Sequence, residues 1–172
     1  MKRILLFAIC FTLLNSISWA QQVLPVNNDI NYEIITDTLK ITKELQNFTI
    51  SINNQSQETI EQFKLRFDGV KVHWTLQRAA LNQENLWLIQ SNDIPGQNKI
   101  LAWETDQSNS QLIVYQSNFR GPYNLILDVQ INLTAKPSAK GDIVDNIVLE
   151  AVTSNGMYSC NPINKSSIII FK

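Results

Sequence analysis

His73 is the only histidine in the 172-residue chain, so any Ser-His-Asp or Cys-His relay would have to pass through it. It stands in "VKVHWTL" between Val72 and Trp74, and on an alternating strand it faces away from both, toward solvent. Asp68 is its nearest carboxylate in sequence, and Cys160 is remote. One histidine and one or two cysteines do not make the three or four N/S ligands that zinc requires. Two carboxylate pairs, Glu104 with Asp106 and Asp142 with Asp145, have the residue type for glycoside hydrolysis. Acids a strand step apart read as solvated neighbours unless the fold sets them across a cleft. Asp142, Asp145 and Glu150 offer oxygen ligands for calcium, but without the regular spacing of a helix-loop-helix calcium loop. None of the five glycines forms GxGxxG or GxxxxGK, the patterns that cradle phosphates. The chemistry-bearing residues therefore predict a protein that is not an enzyme and uses no metal and no cofactor.

The elements that would position these residues begin after the leader. The chain opens "MKRILLFAICFTLLNSISWAQQ", with Lys2 and Arg3 ahead of an apolar run over residues 4–14 and a small-residue pair, Ser18 and Ala20, before Gln21. This is the pattern of a signal peptide over residues 1–20, with one domain expected over 21–172. The apolar run is too short to cross a hydrocarbon layer of about 30 Å, which takes about 20 residues, so no membrane span is expected. Export places the protein in a periplasm, outside the cell or on its surface. Cys10 leaves with the leader, and Cys160 remains either buried or available to join two chains in a dimer. Of 14 basic residues two leave with the leader, so 12 face 15 acids and the net charge falls from −1 to −3. No basic stripe is present, which excludes nucleic acid as a partner.

Alternating runs recur along residues 30–171, separated by turn signals such as "NNQSQ", "NDIPGQN", "DQSNS" and "SNGMYSCNP". About ten strands are predicted, in an all-β, two-sheet antiparallel sandwich with jelly-roll-like topology. The clearest is "YNLILDVQINLT", residues 123–134, with Tyr123, Leu125, Leu127, Val129, Ile131 and Leu133 on one face. Phe48, Ile50, Phe63, Leu65, Phe67 and Leu149 are expected to share its core. "TLQRAALNQENL", residues 75–86, reads as a connecting turn or a single helical turn. Trp87 and Trp103, flanked by leucines, read as core residues.

The segment from "IPGQNKILAWETDQ" through "YNLILDVQINLT" to "EAVTSNG" resembles the later strands of cohesin domains. "FTISINNQSQETIEQFKLRF" and "SNDIPGQNKILAW" are similar to stretches of family 2 carbohydrate-binding modules. Both resemblances imply a jelly-roll-like sandwich without catalysis. The second also implies Trp74, just after "FDG", as the ligand-binding residue, an exposed ring on which a sugar stacks. The function expected is a secreted binding module for polysaccharide or for cohesin-like assembly. The alternative is a surface adhesin or pilus-associated subunit that binds a protein partner through a sheet edge, with residues 123–134 as the candidate edge. Mass spectrometry of the exported protein should find Gln21 as its first residue; a retained leader would remove the export reading.

Overall fold

The computed structural model describes residues 23–36, 39, 42–68, 70–135, 143–144, 147–164 and 168–169. The leader expected over 1–20, with Asp142 and Asp145, lies outside the described residues. Within them the chain is all strand, with no helix: β1 (Val26–Ile34), β2 (Thr42–Asn54), β3 (Thr59–Phe67), β4 (Val70–Leu81), β5 (Glu84–Asn85), β6 (Trp87–Gln90), β7 (Ile100–Asp106), β8 (Gln111–Arg120), β9 (Tyr123–Ala135), β10 (Ile143–Val144), β11 (Ile147–Thr153), β12 (Gly156–Pro162) and β13 (Ile168–Ile169).

Instead of two separate antiparallel sheets, eleven strands form one mixed sheet in the order β5-β4-β9-β2-β1-β12-β11-β3-β8-β7-β6, and β10 pairs with β13 apart from it. The join is β1. It runs antiparallel to β2 from Ile30 to Ile34 and parallel to β12, with a register shift between Asn27 and Asn31. A strand that shifts register can bend, and this one carries the ladder from one half of the sheet to the other. The sheet curls until its halves face each other, nearly a barrel: Phe48 on β2 lies 5.3 Å from Phe67 on β3, although three strands separate them in the ladder.

Alternation explains the core. β9 buries Tyr123, Leu125, Leu127, Val129, Ile131 and Leu133, while Asn124, Asp128, Gln130 and Asn132 stay on the other face. Phe48, Ile50, Phe63, Leu65, Phe67 and Leu149 are buried in the same cluster, as alternation predicts.

Residues 75–86 form neither a connecting turn nor a helical turn. β4 continues to Leu81, turns through Asn82 and Gln83, both at positive φ, and returns as β5. A two-residue hairpin with both central residues left-handed matches strand twist. The register against β9 shifts between Leu76 and Arg78, so exposed Gln77 and Arg78 are followed by buried Ala79 and Ala80. That bulge breaks the period of two and imitates a helical face.

Leu127 is fully enclosed and Gln130 is on the polar face, where it accepts a hydrogen bond from Gln77. Leu127→Ala should cost about 2–5 kcal/mol through lost contacts and a cavity. Gln130→Ala should change stability by about 0.5 kcal/mol or less. Urea melts of both variants check the register, because a one-residue slip would reverse the order.

Candidate functional site

Trp74, expected as an exposed sugar platform, is only 5% exposed. Its ring stacks on Phe67 at 5.1 Å and 21°, and meets Phe48 edge-on at 6.3 Å. The indole Nε1–H donates to the Ser110 carbonyl at 2.9 Å. With its neighbours in place the ring has no face left for a sugar. Alternation with Val70, Val72 and Leu76 directs it inward, and this overrides the family likeness.

Trp103 is buried, as expected, but Trp87 is 76% exposed. Leu86 and Leu88 pack against the core, so the residue between them must point outward. Trp87 lies opposite Ile100, and Ile89 opposite Ala102, in the parallel β6–β7 pair. Register partners share a face, so these side chains line the outer surface of β6 and β7. That surface continues onto β8, where Ala102 is opposite Tyr115. Ala102, Ile113 and Tyr115 form an apolar cluster separate from the main core. Ile89 and Ile94 are also exposed, at 41% and 52%.

"ILAW" on β7 and "LIVY" on β8 are apolar at consecutive positions, the composition of strands covered on both faces. The opposite half of the sheet is built differently. On its outer face Thr49 Oγ1 donates to Asp128 Oδ1 at 2.8 Å, Arg78 pairs with Asp128 Oδ2 at 2.9 Å, and Asn124 Nδ2 donates to Ser51 Oγ at 2.8 Å. One outer face is thus a polar network, and the other carries an apolar cluster. His73 is exposed on the polar one, opposite Asn132.

β9 lies between β4 and β2, so residues 123–134 are interior to the sheet and offer no edge to a partner. The ends of the ladder are β5 and β6, which are consecutive in sequence. Leu86 N–H still bonds the Ala79 carbonyl of β4 at 2.9 Å, but Trp87 N–H bonds Lys99 O at 2.8 Å and Ser91 N–H bonds Trp103 O at 3.0 Å, on the β7 side. The chain forks there. Beyond the fork, β4 and β6 have no backbone pairing with each other among the described residues.

Among the described residues the carboxylates do not converge. The Glu104 carboxylate accepts a hydrogen bond from the Tyr115 hydroxyl on the apolar face. Burial, followed by that bond, pushes the Tyr115 phenol well above its ordinary range. Asp106 instead closes the β7–β8 turn. Hydrogen bonds from the Asn109 side chain and from the Asn109 and Ser108 backbone hold its carboxyl below the ordinary value. Glu150 is buried beside Arg66, 3.5 Å from Nη2. Among the described residues no three His, Cys, Asp or Glu side chains gather where they could hold a metal ion.

Cys160 is 3% exposed, which removes it as the link of a dimer. Burial, with Glu150 nearby, pushes its thiol up to about 12. Burial, with Cys160 nearby, raises the Tyr32 phenol to about 12 as well. The Tyr32 hydroxyl donates to the Ile147 carbonyl at 2.7 Å, tying β1 to β11.

No protein-family model matches the chain, and no curated protein matches it. Among solved structures, the N-terminal domain of the Streptococcus gordonii adhesin Sgo0707 superposes with a TM-score of 0.53 at 11% identity, over 86% of this chain and 34% of that one. The chain therefore spans about a third of that structure's length. A type II cohesin domain from the cellulosome of Acetivibrio cellulolyticus aligns over 86% of this chain and 93% of its own at 11% identity, with a TM-score of 0.34. The adhesin likeness is one of fold. The cohesin superposition is too loose to bear on it.

A thiol and a phenol whose folded values are raised keep their protons in the native state after the unfolded chain has lost them. Their contribution to stability is complete below about pH 9 and is lost as pH rises toward 12. Urea midpoints should fall across that window, and Cys160→Ala should flatten the fall. The native thiol should also resist a disulfide-exchange reagent at pH 8 and react fully in urea.

Proposed function

We propose that this protein is a non-catalytic binding module of the exported class, and that it engages a protein partner on the outer face of β6, β7 and β8. One observation carries the reading: Trp87 is 76% exposed on the last strand of the sheet, in line with an apolar cluster that alternation alone does not require. Large exposed aromatics are costly to leave in water and are enriched at the centres of protein interfaces. The face joins Trp87, Ile89 and Ile100 to Ala102, Ile113 and Tyr115, and its carboxylates, Glu104 and Asp106, are each already hydrogen-bonded. A fold shared with a domain of an adhesin agrees with a module that binds rather than catalyses.

Polysaccharide remains the second reading, because an exposed indole can stack on a sugar ring. Trp87, not Trp74, is the residue that would do it. The face offers a sugar few polar partners, since Tyr115 and Glu104 are bonded to each other. That favours protein.

The test is to immobilise the exported protein beside its Trp87→Ala variant and probe both with an envelope-protein fraction and with a glycan array. Loss of the mostly exposed ring should leave stability within about 0.5 kcal/mol. Retention of a specific protein should weaken tenfold or more, about 1.4 kcal/mol. Glycan retention lost in Trp87→Ala, without any protein retained, would replace the protein reading by the polysaccharide one.

A further inference from the structure

We infer that the partner binds by adding an extended strand to β6, an inference that rests on the binding face proposed above and specifies how it is used. The N–H and C=O of one strand residue leave the strand on the same side. Trp87 and Ser91 spend theirs on β7, so Leu88 and Gln90 direct their backbone groups to the other side, the side on which Leu86 reaches β4. Past the fork that side has no backbone partner among the described residues.

Edge strands are ordinarily protected by charge, proline, bulges or cover. The molecule's other open edge has such protection. β4 carries exposed Lys71, His73 and Arg78 and a bulge at 77–78, and its hairpin partner β5 is two exposed polar residues. β6 reads "WLIQ", with no charge, no proline and two exposed apolar side chains. An added strand would extend both layers at once. Side chains beside Leu88 would meet the core margin, and those beside Trp87 and Ile89 would widen the outer apolar face.

Charge selects the occupant. The uncharged stretch 85–92 is bounded by Glu84 and Asp93. The Asp93 carboxylate has no ion pair among the described residues, and Glu84 has only an exposed contact with Lys99 at 3.8 Å. A second copy paired antiparallel, Leu88 opposite Gln90, would direct Asp93 of each chain toward the end of the other where Glu84 stands against β4. Negative charge gathered at both ends of so short a pair disfavours self-pairing. The fitting partner is an extended segment with apolar side chains on alternate residues and a lysine or arginine at its end.

The probe is a nine-residue synthetic peptide of alternating valine and threonine with lysine at both ends, added to the exported protein and followed by amide hydrogen exchange and tryptophan emission. Exchange at Leu88 and Gln90 should slow at least tenfold at saturation, and the same peptide with glutamate at its ends should bind more weakly. Gln90→Pro removes an N–H that the native ladder does not use, so the fold should survive while protection at Leu88 is lost. An emission shift without slowed exchange would overturn strand addition and leave the binding face standing. Absence of both effects would overturn strand addition alone, since the face is judged by the Trp87→Ala comparison. Slowed exchange that appears without peptide and grows with protein concentration would make the occupant a second copy and overturn the inference.

Discussion

Trp74 holds together strands that do not pair directly with one another in the ladder. It projects from β4, at one end of the strand order, stacks on Phe67 of β3 and meets Phe48 of β2, and its indole donates to Ser110 in the β7–β8 turn. A curled sheet with open ends has to be closed by side chains, because no backbone pairing closes it among the described residues. An aromatic cluster suits this task, since it removes a large apolar area from water and its ring geometry is directional. The indole donor also satisfies a carbonyl at a turn that would otherwise be buried without a partner. Trp74 is thereby committed to the core.

The two outer faces follow from how each half of the sheet is composed. β9 is flanked on both sides and keeps strict alternation, so its outer face can be polar, and side chains on β2, β4 and β9 bond across the strands there. β7 and β8 do not alternate. Once Leu101, Trp103, Leu112 and Val114 fill the core, the residues between them still include Ala102, Ile113 and Tyr115. An apolar outer face confers no solubility and adds little to a core it does not touch. Its place beside an exposed tryptophan at the end of the ladder is the reason to assign binding there and not to the polar face.

Much of this architecture was legible in sequence, and the exceptions have separate physical causes. Alternation gave the class, the core and the full length of β9, because a period of two is imposed by strand geometry whatever the neighbours are. The single mixed sheet was hidden, since β1–β12 and β6–β7 pair in parallel across long stretches of chain and no local pattern marks them. The bulge at 77–78 was hidden for the opposite reason: one extra residue is a local event that disguises a strand as a turn. Trp87 was legible and misread. If Leu86 and Leu88 face inward, period two sends Trp87 out, and flanking leucines are therefore evidence of exposure on a strand. Trp103, two residues from Leu101, keeps the same face as that leucine and is buried.

Cys160 is a free thiol, and no disulfide staples the described residues. A buried thiol raised by desolvation is inert, so this chain depends on packing and on cross-layer ties such as Tyr32 to Ile147 for its cohesion. Packing is strongest where strands have neighbours on both sides, and weakest at β5 and β6, where the ladder ends. The segment 84–90 is divided between them, bonded first to β4 and then to β7, and can satisfy neither edge fully. Closing the sheet with continuous pairing would remove this fork and its unpaired groups. The same closure would draw Trp87 toward β4 and bury the apolar edge at β6. Unpaired backbone groups and exposed apolar side chains therefore coincide at the end of the ladder, in the least stable part of the sheet.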